Sequence, residues 1–268
     1  MGLRLLHLHL HGLFRSHELE LGRDADTGGQ TLYVLELVKH LARQTDVDQV
    51  DVVTRLIKDP QVSSDYAVPE EPIASGARIL RFRFGPDRYL RKERLWPHLM
   101  QLVDRLVDHL RQPGQMVDWI HAHYADAGLV GSLVSERLGI PLVFTGHSLG
   151  REKQRRLLAA GGDLLQMERS YAISARIDAE ERALAQADLI ITSTRQEAEK
   201  QYSRYSSFQL QRAHVVPPGV DSSRFHPSAT FSEKAELNQL LHPFLRDPSK
   251  PPLLAISRAV RRKNIPAL

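Results

Sequence analysis

The chain contains no cysteine. Disulfides, thiolate metal ligands and cysteine nucleophiles are therefore excluded, and a reducing compartment, the cytoplasm, is the expected location. Aromatic residues make up only 6% of the sequence, which argues against a nucleic-acid surface built on stacked rings. No apolar run approaches the length that crosses a bilayer, so no membrane partner is expected. The opening MGLRLLHLHL has one arginine, a short apolar run broken by histidines and no small-residue cleavage site, so no signal peptide is expected. The G-x-G-x-x-G spacing of a dinucleotide site is missing, which counts against an NAD enzyme. Neither charge sign dominates: 36 Lys plus Arg oppose 32 Asp plus Glu, a net of +4. That mild excess suits an anionic ligand.

What is present is an ordinary globular composition, 42% apolar and 25% charged over 268 residues. Strand-like and helix-like patterns alternate. Strands are expected at residues 3–10, 49–56, 77–84, 117–124, 141–146, 189–193 and 213–216. Helices are expected at 28–43, through Leu95, Leu99, Leu102, Leu106 and Leu110, at 126–138 ending at Gly139, as one long stretch from Leu164 to Ala187, and from Arg195. Nearly continuous apolar strands separated by helices predict an α/β fold, a Rossmann-like parallel sheet with helices on both faces. Ligands in such sheets sit beyond the carboxyl ends of the strands.

The polar, proline-rich segment from Asp59 to Gly76 reads as a surface insertion. Near the end, DPSKPPLLAISRAVRRKN reads as a linker and a fresh buried strand, Leu253 to Ser257. A lone βα unit cannot bury both its faces, so these residues are expected to open a second α/β domain. The expected division is 1–248 and 249–268.

Several residues collect at the expected strand exits. TGGQ (27–30) opens a helix, with Thr27 and Gln30 fitting a capping box and Gly28 and Gly29 allowing an anion to approach the helix N-terminus. HAHYADAG (121–128) and TGHSLGREK (145–153) bring Tyr124, His147 and Lys153 to neighbouring exits. Arg169 and Arg176 lie on the long helix among Glu168, Glu180 and Glu181, and Thr194 to Glu197 forms a second capping-box pattern. In LHLHLHG (6–12), alternation puts His7, His9 and His11 on one strand face. No further ligand is suggested at a useful spacing, so no metal site is expected; His7 and His9 are read as packing residues and His11 as the one candidate site histidine. No carboxylate pair or serine triad stands out.

The ordered motifs HGLFRSHELELGRDADTGGQ, HAHYADAG, FTGHSLGREKQ, RIDAEE, ITSTRQE, VVPPGVD and ISRAVRRKN closely resemble those of the sucrose-phosphate synthases, retaining GT-B enzymes of glycosyltransferase family 4. The match runs from His11 to Asn264. Sucrose synthases share DTGGQ, but ELGRD and GHSLGR look more like the phosphate-using branch. The resemblance implies transfer of glucose from UDP-glucose to fructose 6-phosphate with retention, giving sucrose 6-phosphate, with no metal strictly required and Mg2+ at most an activator. It implies Gly28, Gly29 and Gln30 against acceptor and donor, with Lys92, Tyr124, Lys153 and Arg176 holding fructose 6-phosphate. It implies His147 near the transferred glucose, and Arg258 and Lys263 on the UDP diphosphate. SARI (174–177) departs from relatives, which tend to carry two adjacent arginines; Ala175 leaves one. With the glutamate-rich motif of the family's second domain lacking, the chain is expected to bind acceptor with little activity alone. The alternatives are a sucrose synthase-like enzyme using free fructose and a non-catalytic sugar-phosphate-binding module.

Overall fold

Apolar residues alternate along the strands and sort onto two faces of one sheet. Strand β1 (Leu3–Leu8) sends Leu6 and Leu8 into a large core cluster and Leu5 towards a smaller one on the other side. In β2 (Val47–Arg55) Val53 joins the large cluster while Val50 and Val52 join the small one. In β4 (Ala77–Phe82) Leu80 and Ile79 divide the same way. Of the remaining strands, β5 (Trp119–His123), β6 (Leu142–Thr145) and β7 (Leu189–Thr192) follow β4; β3 (Glu70–Ala74) precedes it and β8 (Ala213–Val215) closes the set. The sheet order is β3-β4-β2-β1-β5-β6-β7-β8, with every neighbouring pair parallel except β3 with β4. Strand order reverses beside β1, between β2 and β5, which is where such sheets place ligands.

Helices cover both faces, as expected. Helix α1 (Gly29–Leu41) buries Val34, Leu35 and Val38 against the small-cluster face. On the other face lie α2 (Leu99–Leu110), α3 (Ala125–Leu138) and, beyond α4 (Gly150–Ala159) and α5 (Leu164–Tyr171), α6 (Ile173–Gln186). Helix α2 buries Leu99, Leu102, Val103, Leu106, Val107 and Leu110, a stripe at helical spacing. Gly128 lets α3 lie close: a Cβ there would fall 2.7 Å from Phe144 Cε2 and 2.9 Å from Ala183 Cβ. Helix α3 ends at Gly139, whose φ of 69° is the left-handed stop expected of glycine.

This computed structural model describes residues 2–223, 225–226, 236, 239–245, 247 and 250. The chain divides into two compact units, residues 1–217 and 218–268, a division that falls ahead of the expected 248/249. The expected strand Leu253 to Ser257 lies outside the described residues. Among the described residues no helix is long and apolar enough to cross a membrane.

Two expectations are corrected, while the Asp59–Gly76 surface segment carries structure of its own: Tyr66 is buried and β3 pairs antiparallel with β4, and Glu71 takes the Ser16 N–H at 2.6 Å and pairs with buried Arg81. The single helix from Leu164 to Ala187 is two, broken at Ala172 with φ 46° and ψ 50°. Glu168 makes the break tolerable by accepting Ser174 N at 2.9 Å and Oγ at 2.8 Å. Helix α2 starts at Leu99 rather than Leu95, after tight turns at Lys92–Arg94 and Trp96–His98, where Pro97 cannot supply a helical N–H.

Candidate functional site

The exits of β1, β5 and β6 carry His11, Tyr124 and His147, and helix α1 reaches this edge through Gln30, bonded to His9, and Tyr33, edge-on to His147. Gly28 is the extended N-cap of α1, with φ −146°. A Cβ on Gly29 would meet nothing within 4 Å, so packing does not demand this glycine and the space over the helix end is open. The Thr27–Gln30 capping box is not formed. Thr27 Oγ1 instead accepts Leu13 N at 3.1 Å, and Gln30 Nε2 donates to His9 Nδ1 at 3.0 Å, which ties the loop to the sheet rather than to its own helix. The second pattern does form: helix α7 (Arg195–Lys200) opens with Thr194 Oγ1 accepting Glu197 N, and Glu197 accepts Ser193 N.

Lys92, Tyr124, Lys153 and Arg176, far apart in sequence, converge. Arg176 is buried; its guanidinium lies 4.6 Å from the Tyr124 ring, its Nε pairs with Glu180 Oε1 at 3.0 Å, and its Nη2 donates to Ser148 O. Burial pushes the Glu180 carboxyl up, while Arg176, the Gly150 N–H at 2.8 Å and the Tyr205 hydroxyl pull it back. Lys92 is held by Asp26, which pairs with its ammonium and takes its backbone N–H at 2.8 Å, and Glu93 lies 3.3 Å from the same ammonium. Lys153 differs: its Nζ sits over the Tyr171 ring, 3.2 Å from the centroid, and among the described residues it pairs with no carboxylate. Burial, with Arg176 and Lys92 nearby, lowers its pKa to about 8. Two cations are thus anchored by acids and, among the described residues, the third is not.

Tyr124 owes its place to backbone geometry. It has φ 79°, rare for a tyrosine, and its N–H bonds Thr145 O at 2.8 Å, which turns the chain sharply from β5 into α3. His147 is likewise held at φ 54° after β6. Its ring meets Tyr33 edge-on at 5.1 Å, and burial lowers its pKa to about 3.

The histidines in and just beyond β1, His7, His9 and His11, behave as three separate cases. His11 Nδ1 bonds buried Asp126 at 2.8 Å, an acid–imidazole pair at the strand exit. His9 is buried and takes Gln30; His7 is buried and takes His123 Nε2 at 3.0 Å. His7 and His9 are therefore packed, as expected, His9 with both ring nitrogens bonded and His7 bonded through Nδ1. The expectation that no further metal-ligand group accompanies them needs correction. Parallel pairing of β1 with β5 sets His7 opposite His121, and His7, His121 and His123 form a buried group whose nitrogens lie within 4.8 Å of one another. Burial drives the pKa of His7 to about 4 and holds His121 and His123 well below the ordinary value, so all three are neutral at pH 7. This group could hold a metal only by giving up the hydrogen bond between His7 and His123, and it includes no carboxylate to offset a dication.

Asp26, Asp126, Glu180 and the pair His121/His123 went unremarked as site residues in the sequence. HAHYADAG contains His121, His123 and Asp126, but only strand adjacency shows what they face. Ala175 is half-buried beside Arg176. Arg258 and Lys263 lie outside the described residues.

Residues 27–224 match the family model described as Glycosyltransferase Family 4. Among curated proteins, the chain is 38% identical to a probable sucrose-phosphate synthase 2 of Arabidopsis thaliana and 35% identical to sucrose-phosphate synthase 4 of the same plant. Each alignment covers 97% of this chain and 30% of the relative, so the chain spans under a third of the length of the relatives it matches. Among solved structures, it superposes on a sucrose-phosphate synthase from Thermosynechococcus elongatus with a TM-score of 0.66 at 24% identity, over 88% of this chain and 52% of that one. The fold also resembles Anabaena HepE in complex with UDP-glucose, with a TM-score of 0.53 at 16% identity, over 90% of this chain and 50% of that one. With the family model covering well over half its residues, the chain belongs to Glycosyltransferase Family 4.

Proposed function

We propose that this chain is the acceptor-binding part of a sucrose-phosphate synthase, which transfers glucose from UDP-glucose to fructose 6-phosphate with retention, giving sucrose 6-phosphate and UDP. The observation that carries the reading is the basic cluster around Tyr124, in which Lys153, among the described residues, lacks the carboxylate partner that Lys92 and Arg176 each have. A sugar phosphate supplies that partner, and charge-assisted bonds from lysine and arginine distinguish it from a free sugar. Gly29 leaves room for sugar oxygens at the α1 N-terminus beside Gly28, where backbone N–H groups favour negative charge. His147 orients the transferred glucose. Arg258 and Lys263 neutralise the diphosphate as the glycosidic bond breaks, which lowers the cost of the departing charge.

Calorimetry with fructose 6-phosphate and with fructose tests the acceptor assignment. Fructose 6-phosphate is expected to bind at least about tenfold tighter, the least that a hydrogen bond to a charged group contributes. Equal affinity for both sugars would favour the fructose-using alternative, and binding of neither would remove the assignment. UDP release by the 268-residue chain is expected to be slight. Robust turnover would show that this chain is not only an acceptor module.

A further inference from the structure

Two buried imidazoles and a third, half-buried at the strand exit, are joined in series. His7 Nδ1 lies 3.0 Å from His123 Nε2, and His123 Nδ1 lies 3.0 Å from His147 Nε2. A neutral imidazole carries one ring proton, so His123 can donate to one neighbour only while accepting from the other. The protons must therefore run in one sense. If His7 donates from Nδ1, His123 carries its proton on Nδ1 and passes the bond to His147 Nε2, which leaves the His147 proton on Nδ1. In the opposite sense all three carry the proton on Nε2. A mixed pattern sets two N–H groups or two lone pairs against each other inside the protein, which costs about 1–3 kcal/mol for each unmade bond.

The chain ends at the candidate site. Among the described residues no protein group hydrogen-bonds His147 Nδ1, and the Tyr33 ring holds the imidazole edge-on. His121 stands beside the chain but not in it: its ring centroid is 4.1 Å from that of His123, yet its Nε2 bonds Thr145 Oγ1 at 2.8 Å. His9 is likewise committed elsewhere, to Gln30 and Thr31.

We propose that His7, His123 and His147 form one two-state hydrogen-bonded unit, in which His7 and His123 are positioning residues that decide whether His147 Nδ1 presents a proton or a lone pair to a bound sugar. The role at the ligand end rests on the functional reading above; the coupling of the three rings does not. A sugar hydroxyl that donates to His147 selects the Nε2–H sense through all three residues, and a sugar oxygen that accepts selects the Nδ1–H sense. No charge needs to enter the buried sheet in either case.

Nitrogen-15 NMR of the histidine-labelled 268-residue chain at pH 7 reads which ring nitrogen carries each proton, and it needs no variant. The expected result is the same ring nitrogen protonated in His7, His123 and His147; mixed tautomers would overturn the proposal. His7→Leu, which removes a ring that does not touch His147, is expected to shift the His147 ring signals. His7→Asn, which keeps a hydrogen-bonding group at that end, is expected to restore them, and His121→Gln to leave them in place. A His147 signal indifferent to His7→Leu also counts against the unit. Addition of UDP-glucose and fructose 6-phosphate is expected to change the three rings together. Matching tautomers that ignore both sugars would uphold the unit and remove His147 from the ligand site.

Discussion

Lys153 is the residue on which recognition of a phosphate turns. Its pKa of about 8 means that it is charged at neutral pH and loses charge as the pH rises through 8, while a phosphate monoester gains its second charge near pH 6. Affinity for fructose 6-phosphate is therefore expected to be greatest between about pH 6 and 8 and to fall above it. Calorimetry across that range checks this, and affinity that keeps rising beyond pH 9 would contradict it. Tyr124, His147 and Lys153 were legible in the sequence because strand exits in an α/β sheet share one edge. The acids that hold the cations in place were not. Asp26 lies 66 residues from Lys92 in sequence, and only the folded sheet sets their side chains together. Arg176 and Glu180 did lie at helical spacing, but nothing in the spacing shows that the pair is buried.

At the scale of elements, the parallel strands and most helices followed from periodicity, since the central strands bury both faces and the covering helices bury one stripe. The misreadings came where local chemistry competes with tertiary contacts. Polar, proline-rich residues 59–76 read only as a surface insertion, and periodicity gave no sign of the edge strand β3 or of the contacts that Arg81 and Tyr66 give that segment. TGGQ looked like a capping box, yet Thr27 Oγ1 accepts from Leu13 N and Gln30 turns its amide N–H to His9. Close packing of α3 yields a stability prediction. Gly128→Ala would press a methyl against Phe144 and Ala183, and is expected to lower unfolding stability by about 1–3 kcal/mol, the usual cost of overpacking. Urea denaturation checks this, and an unchanged midpoint would mean that the helix slides to accommodate the methyl.

At the scale of the molecule, the sheet interior stores neutral histidines. Burial holds His7 near pKa 4, with His9, His121 and His123 also well below the ordinary 6.5. The unfolded chain protonates these rings below pH 6.5 and the folded chain does not, so stability is present at neutral pH and lost as pH falls. By pH 5 His7 alone is expected to cost about 2 kcal/mol. Thermal unfolding at pH 7, 6 and 5 is expected to show a steep fall in Tm, and a flat profile would mean that the rings are hydrated.

The central claim is that Lys153 in the cluster of unit 1 receives the phosphate of the acceptor. Its most direct test is calorimetric titration of fructose 6-phosphate into the 268-residue chain and its Lys153→Ala variant at pH 7. Loss of one charge-assisted contact predicts at least about tenfold weaker binding of fructose 6-phosphate, with any binding of free fructose unchanged. Equal affinity of the two proteins for fructose 6-phosphate would contradict the account.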